Sequence, residues 1–394
     1  MIKFPENVKK IAKILSDAGF CAYAVGGCVR DSVLGRTPGD WDMTTSARPE
    51  QMLDVFKAAN VRTIPTGLKH GTVSVLMDGE TYECTTFRID GDYTDSRHPD
   101  KVTFTPNVSD DLKRRDFTVN AMAADPLSEQ SDADIVDIFG GREDLKNKII
   151  RCVGDPEKRF EEDALRILRA VRFAAVLGFK IDENTKKAAV KMRGGLARVS
   201  AERKRVELEK TLVCDNADYG VALLFELGLS ELIHSDIKNP RIKLSSLPKS
   251  FTLRLAALFG ADLNPELASL KLSREQESQI KRFCHTSRQM TNQDATDENA
   301  RRALCLMREC AEGWALLRNN EPLAKAITKE RENNACVTVA QLAVGGNDLM
   351  MAGVAPIERA SVLNMLLDAV IKNPSLNNRD TLMSMIRSTT DTEN

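Results

Sequence analysis

Histidine is scarce in this chain, with four copies in 394 residues and none at finger spacing from paired cysteines. That excludes the usual tetrahedral zinc sets, whose cysteine and histidine ligands come in close pairs. His285 follows Cys284, but nothing nearby completes a ligand set. Cysteine occurs nine times without one CxxC pair. An odd count without close pairs does not suit a secreted disulfide framework, so reduced thiols and a cytoplasmic protein are expected. An uncharged apolar stretch of about 20 residues is also lacking, and no segment has the layout of a signal peptide, so no membrane contact is expected. Repeats and low-complexity runs are absent.

Strong net charge is missing too, the total being −1, but the total conceals a gradient. Residues 1–140 hold 16 basic and 22 acidic side chains, residues 141–210 hold 19 and 12, and the rest hold 21 and 23. A nucleic-acid ligand needs a local basic surface rather than a basic protein, and the middle segment offers one. A solvated helical face would carry the same charges. The length and the 42% apolar share are enough for two or more cores.

Periodicity divides the chain near residue 140. Before it the pattern predicts a helix over Glu6–Ala18, a strand over Cys21–Val25, a helix from Cys28, a strand around Trp41–Thr44 and a helix over Pro49–Ala59. Strands over Thr72–Met77 and Thr81–Ile89 follow, joined by the hairpin signal Asp78-Gly79. Beyond residue 140 the helical period dominates, including one long helix from Pro156 to about Leu177. The last residues, from Thr389, read as a frayed tail.

Two short segments concentrate the chemistry. Asp40 and Asp42, at i and i+2 of a strand, point to one face and can cup a hard cation, typically Mg²⁺ with substrate phosphates. Upstream, Gly26-Gly27 opens into a helix carrying Arg30, which offers backbone N–H groups and a guanidinium to those phosphates. Metal on one element and anion on another is the requirement of phosphoryl or nucleotidyl transfer. Farther on, Asp163, Arg166, Arg169 and Arg172 recur at three-residue steps along the expected long helix, a stripe rich in arginine and poor in acids. Guanidinium groups so close repel unless an anion sits among them.

Gly26-Gly27-x-Val29-Arg30-Asp31 with Asp40-x-Asp42 resembles motif A of class II tRNA nucleotidyltransferases, the CCA-adding enzymes, relatives of poly(A) polymerases in the DNA polymerase beta superfamily. Arg114-Arg115-Asp116-Phe117-Thr118-Val119-Asn120-Ala121 looks like motif B, and Asp137-Ile138-Phe139-Gly140-Gly141 like motif C. Glu162-Asp163-Ala164-Leu165-Arg166 looks like motif D, and Arg198-Val199-Ser200-x-Glu202-Arg203 like motif E. The matches stand in family order and cover roughly the first half of the chain.

The resemblance implies an α/β nucleotidyltransferase head over residues 1–140, then an all-α neck over 141–210, body over 211–275 and tail over 276–394. It implies addition of CCA to tRNA 3′ ends from CTP and ATP, with Asp40 and Asp42 as catalytic residues holding two Mg²⁺ ions. One ion would activate the RNA 3′-hydroxyl and the other steady the triphosphate. Nucleotide contacts carry over to Gly27, Arg30, Arg115, Asp163, Arg166, Arg169 and Arg172, with Asp116 and Asn120 near the ribose. Asp163 and Arg166 become the base readers. Cytosine and adenine both present an amino donor beside a ring-nitrogen acceptor, which a carboxylate and a guanidinium match and which uracil and guanine reverse.

Other readings stay open: an A-adding enzyme, a poly(A) polymerase, or from another class a non-catalytic RNA-binding relative using the basic middle segment. Asp90–Asp100 resembles the family's flexible loop, which favours an activity that includes A addition. Glu83, on the expected hairpin, is as well placed to face solvent as to join the carboxylates and stands outside the expected set. Arg203, Lys204, Arg205, Lys281, Arg282 and Arg288 are candidate tRNA phosphate contacts, and Val344–Met350 resembles a tail signature. Lys204 stands where the family usually has an apolar residue. The histidine–aspartate pairs of some bacterial relatives are absent, since His234-Ser235-Asp236 has the wrong spacing. The pattern fixes no oligomeric state.

Overall fold

Asp78 and Gly79 both take positive φ, 52° and 83°, the backbone of a two-residue hairpin turn whose twist matches its strands. In the computed structural model, which describes residues 2–91, 102–128, 135–260, 266–284 and 294–390, the chain folds as two compact units, Met1–Ser235 and Asp236–Asn394.

The first unit opens with α1 (Glu6–Asp17), β1 (Ala22–Val25), α2 (Gly27–Val33), β2 (Met43–Thr45) and α3 (Pro49–Ala58). Next come β3 (Arg62–Gly67), β4 (Thr72–Met77), β5 (Glu80–Thr86), β6 (Arg88–Asp90), β7 (Val102–Phe104), α4 (Val108–Lys113), β8 (Ala123–Ala124) and β9 (Ile135–Val136). Seven of these strands form a mixed sheet in the order β3-β4-β5-β2-β1-β8-β9. Val8, Ile11, Ala12 and Leu15 recur at helical spacing on α1 and bury that face with Met43, Met52, Phe56, Val73, Val75 and Cys84. Burying this shared apolar surface supplies the main driving force for the layer.

The expected strand over Thr81–Ile89 is two strands. β5 ends at Thr86, and β6 leaves the main sheet to pair with β7. Phe87 between them is 1% exposed, so the chain turns to bury an aromatic ring. β3, β7, β8 and β9 were not apparent from periodicity. Three of them are only two or three residues long, too short for alternation to register.

The helical remainder of this unit contains α5 (Gly141–Asn147), α6 (Pro156–Glu162), α7 (Leu165–Leu177), α8 (Glu183–Met192), α9 (Ala201–Leu212), α10 (Ala217–Glu226) and α11 (Ser230–Ile233), with β10 (Ile149–Ile150) paired parallel to β11 (Lys180–Ile181). α7, α9 and α10 pack together. They meet closely at Gly220, where a β-carbon would lie 2.5 Å from Thr211 Cγ2 and 2.9 Å from the Ala175 Cβ.

The two segments resembling motifs B and C interlock. A β-carbon at Gly141 would sit 2.3 Å from the Thr118 carbonyl oxygen, while Asp137 accepts hydrogen bonds from the Gly141 and Arg142 backbone N–H groups at 2.7 and 2.8 Å. Gly141→Ala is therefore expected to destabilise the fold by about 1–3 kcal/mol through overpacking against backbone. Chemical denaturation of the variant checks this. An unchanged midpoint would show that the turn gives way freely.

The second unit contains α12 (Phe251–Phe259), α13 (Arg274–Cys284), α14 (Asp297–Met307), α15 (Ala311–Leu317), α16 (Glu321–Glu332), α17 (Gly346–Met351), α18 (Arg359–Lys372) and α19 (Arg379–Thr390). Leu349, Leu366, Val370, Leu382 and Ile386 form the core under its last helices. Arg301 is buried there, bonding Glu330 at 2.9 Å and the Ile371 carbonyl at 2.7 Å. All nine cysteines are free thiols. Among the described residues no helix is long and apolar enough to cross a membrane.

Candidate active site

β2 lies parallel to β5 with Met43 opposite Cys84. One residue upstream, that register brings Asp42 beside Glu83. Asp40 and Asp42 themselves lie just before β2 in extended chain rather than within the strand. The Asp42 carbonyl still accepts from the Val25 N–H at 3.0 Å, which fixes the segment to β1. Although Asp42 keeps an exposed surface, the atoms packed around it, with Asp40 and Glu83, push its carboxyl up to about 6.

Such surplus negative charge suits a divalent cation. Among the described residues no three ligating side chains are already gathered tightly enough to hold an ion. The carboxylates feel one another across a gap. A raised carboxyl pKa means that the folded chain binds this proton more tightly than the unfolded chain, so Asp42 subtracts stability at neutral pH, and that penalty begins to shrink as the pH falls through about 6 and is gone only below the ordinary carboxylate value of 3.8. In metal-free buffer at neutral pH, Asp42→Asn should melt above wild type, with the gap closing on acidification. A variant melting below wild type would refute the crowding.

Gly26 holds φ 81° and ψ −125° between β1 and α2, a conformation only glycine adopts readily. A β-carbon there would lie 3.0 Å from Arg115 Nη1. Two of the predicted nucleotide contacts, the glycine turn and Arg115, thus touch. Arg115 is anchored by the buried Asp111, at 3.2 Å, and its Nε is buried without a hydrogen-bond partner. Asp111 also takes Arg114 at 2.7 Å. Burial would raise its pKa, but the two guanidinium groups bring it below the usual carboxylate range. Charge pairing within this segment therefore still leaves the Arg115 Nε without a partner.

The expected long helix from Pro156 to Leu177 is broken. α6 ends at Glu162, Asp163 takes φ −149° and ψ 102°, and α7 starts at Leu165. The Asp163 carboxylate holds the start of α7 by accepting from the Leu165 N–H at 3.1 Å. Arg203 grips both its oxygens, at 3.3 and 2.7 Å. Gly195 permits the adjoining turn, since a β-carbon there would be 2.9 Å from the Ala164 Cβ. The break removes Asp163 from the helical stripe and presents it from a kink, where a carboxylate still has lone pairs to offer.

The arginines are not short of acids either. Arg166 pairs with Glu162 at 2.7 Å and donates to the Arg114 carbonyl at 3.1 Å. Arg169 meets Asp116 at 2.6 Å, and Arg172 meets Glu207 at 3.1 Å. Glu162 stands one turn before Arg166, but Asp116 comes from the turn before Phe117 and Glu207 from α9, so reading one helix alone could not count those two. Asp116 accepts also from Asn120 at 3.2 Å, and Asn120 accepts from Arg30 at 2.7 Å. Burial would push the Asp116 carboxyl up, but Arg169 and Arg166 outweigh it and hold it down at about 2. Asp116 is thus turned into the protein towards Arg169. Burial draws Arg172 down to about 10 despite Glu207.

Several residues acquire roles the sequence did not assign. Glu83 joins the carboxylate edge through strand register, and Arg203 and Glu207, one turn apart on α9, face Asp163 and the two arginines. Their i, i+4 spacing was the available signal. Lys204 donates to the Leu232 carbonyl at 2.9 Å, which explains a lysine at that packed position. Among the other candidate phosphate contacts, Arg205 pairs with Glu209, Arg282 with Glu309 and Lys281 with Glu277. Asp90 and Gly91 are described, whereas the rest of the expected loop, Asp92 onward, and Arg288 lie outside the described residues. A cavity of about 580 Å³, lined by Asp90, Asp110, Arg114, Arg159 and Glu162 among others, abuts the partners of Arg166 but not Asp40 or Asp42.

A mixed sheet bearing a glycine turn, an arginine helix and an acidic edge defines a nucleotidyltransferase head. The family model for the poly A polymerase head domain matches residues 22–151, and that for the probable RNA and SrmB-binding site of polymerase A matches residues 178–239. The chain is 46% identical over 237 residues to a CCA-adding enzyme of Leuconostoc mesenteroides, a match covering 60% of this chain and 56% of that protein. It is 36% identical over 400 residues to a CCA-adding enzyme of Pediococcus pentosaceus, covering 94% of this chain and 96% of that protein. The solved Bacillus stearothermophilus CCA-adding enzyme in complex with CTP superposes with a TM-score of 0.81 at 31% identity, covering 100% of this chain and 99% of that one. The chain belongs to the CCA-adding enzyme family.

Proposed function

We propose that this protein adds C, C and A to the 3′ ends of tRNA from CTP and ATP, without a nucleic-acid template, in the cytoplasm. The carrying observation is the acidic edge of Asp40, Asp42 and Glu83 next to the Gly26 turn and Arg115, in a chain of this family. Asp40 and Asp42 would hold Mg²⁺, with Glu83 beside them, and the ion would lower the pKa of the attacking hydroxyl and offset charge on the phosphates. Gly27, Arg30 and Arg115 receive the triphosphate, and Arg169 and Arg172 extend that positive wall. Asp163, steadied by Arg203, accepts from the amino group of cytosine or adenine, while Arg166 donates to the ring nitrogen. Head, neck, body and tail are kept as the functional division over 1–140, 141–210, 211–275 and 276–394.

The decisive assay offers each nucleotide separately to tRNAs lacking the whole CCA end, lacking only the terminal A, and complete. Addition of C to the first and of A to the second supports the reading. Addition of A alone would make this an A-adding enzyme, and long runs of A a poly(A) polymerase. No addition by a folded, tRNA-binding protein would leave a non-catalytic relative.

The segment Arg97-His98-Pro99 tests whether one pocket is reshaped between bases. Replacing it with Gly-Ser-Gly should impair ATP use while largely sparing CTP use, because glycine raises chain entropy and leaves the identities of Asp40 and Asp42 unchanged. Equal losses with both nucleotides would remove the loop from base switching.

A further inference from the structure

Three of the arginines assigned to nucleotide binding converge on a single aromatic ring. The guanidinium carbons of Arg172, Arg30 and Arg169 lie 4.1, 5.3 and 5.4 Å from the centroid of Phe173. The three come from α2 and α7, more than a hundred residues apart in sequence. Phe173 is 8% exposed, and Phe117 packs edge-on against it with ring centroids 5.7 Å apart and planes at 77°. That contact fixes the ring plane from the turn carrying Asp116, whose carboxylate holds Arg169.

Three cations this close repel one another, and each is held by a separate carboxylate. Asp31 takes Arg30, Asp116 takes Arg169 and Glu207 takes Arg172, each fixing its arginine from a different direction. The ring is the only group in contact with all three among the interactions described. Its quadrupole presents negative charge to cations over the face, with no acceptor oxygens to compete with a phosphate for the guanidinium N–H groups. A further carboxylate in the same place would give the cluster a net negative charge and repel an anion. An aliphatic residue would fill the space without drawing the three guanidinium groups to one point.

We propose that Phe173 is a positioning residue that gathers Arg30, Arg169 and Arg172 into one receptor for the polyphosphate arm of the incoming nucleotide. This rests on the nucleotidyltransferase reading of the site. The ring acts through the arginines and touches neither base nor metal carboxylate, so its effect falls on affinity for any nucleotide and not on base choice.

The test replaces Phe173 by leucine and, separately, by pentafluorophenylalanine, which keeps the shape and apolarity of the ring while inverting its quadrupole. Both should raise the KM for CTP and for ATP together by about three- to tenfold, the scale of one cation–π contact, with kcat and the discrimination against UTP and GTP little changed. The inhibition constant of inorganic tripolyphosphate should rise in parallel, since that probe has no base. Wild type run alongside tests the activity itself: if it fails to extend tRNA, the functional reading falls irrespective of Phe173. If the fluorinated protein is folded and retains wild-type KM and tripolyphosphate inhibition, Phe173 is packing alone and the proposal is overturned, whether or not the leucine variant folds. A loss confined to ATP or to CTP would overturn it as well.

Discussion

Asp40→Ala and Asp42→Ala are each expected to cut nucleotidyl transfer below about a tenth of wild type, while tRNA binding and the melting curve survive. The loss follows from the edge that these residues form. On the proposed reading the two carboxylates would hold the divalent ion together, and with one of them gone the ion would no longer be held beside the attacking hydroxyl and the departing pyrophosphate. Folding is spared because both side chains are solvent-exposed, and Asp42 is crowded by like charge rather than paired. Removing it relieves repulsion. Primer-extension rates with CTP and ATP, beside circular dichroism, make the measurement. Activity above a tenth in either variant would take that residue out of the catalytic role.

Asp163→Ala and Arg166→Ala should relax discrimination against UTP and GTP more than they weaken tRNA binding. A mismatched edge leaves polar groups unpaired in a partly dry site, about 1–3 kcal/mol for each, so selectivity should fall by roughly ten- to a hundredfold. Affinity for tRNA is spread over many phosphates and changes little when one base contact is lost. The grip of Arg203 on both oxygens of Asp163 adds a condition: Arg203→Ala frees that carboxylate to rotate and should blur selectivity in the same direction by a smaller factor. Steady-state kinetics with all four nucleotides decide the matter. Unchanged ratios in Asp163→Ala would end the idea that side chains act as the template.

Local order was well written in the sequence. Alternating residues on either side of Asp78-Gly79 gave the hairpin. The apolar spacing of Val8, Ile11, Ala12 and Leu15 gave α1. Gly26-Gly27 marked the turn that opens into α2. These features depend on neighbours within a few residues, and a single chain reports such neighbours directly.

What the chain could not report alone was which distant groups become partners. The helix expected from Pro156 to Leu177 has good periodicity throughout. It breaks at Asp163 because Arg203, forty residues away, and the Leu165 N–H both bind that carboxylate, and no propensity scale contains that contact. The arginine stripe looked starved of acids because Asp116 and Glu207 reach it from other elements. Glu83 was indistinguishable from a surface glutamate until β5 aligned in parallel beside β2. Sequence determined where the acidic pair, the glycine turn and the arginine-rich segment fall, together with the short-range geometry of the hairpin. Only the tertiary fold decided which charges neutralise one another, because Coulomb energy depends on distance in space, and long-range packing brings together groups that the chain holds far apart.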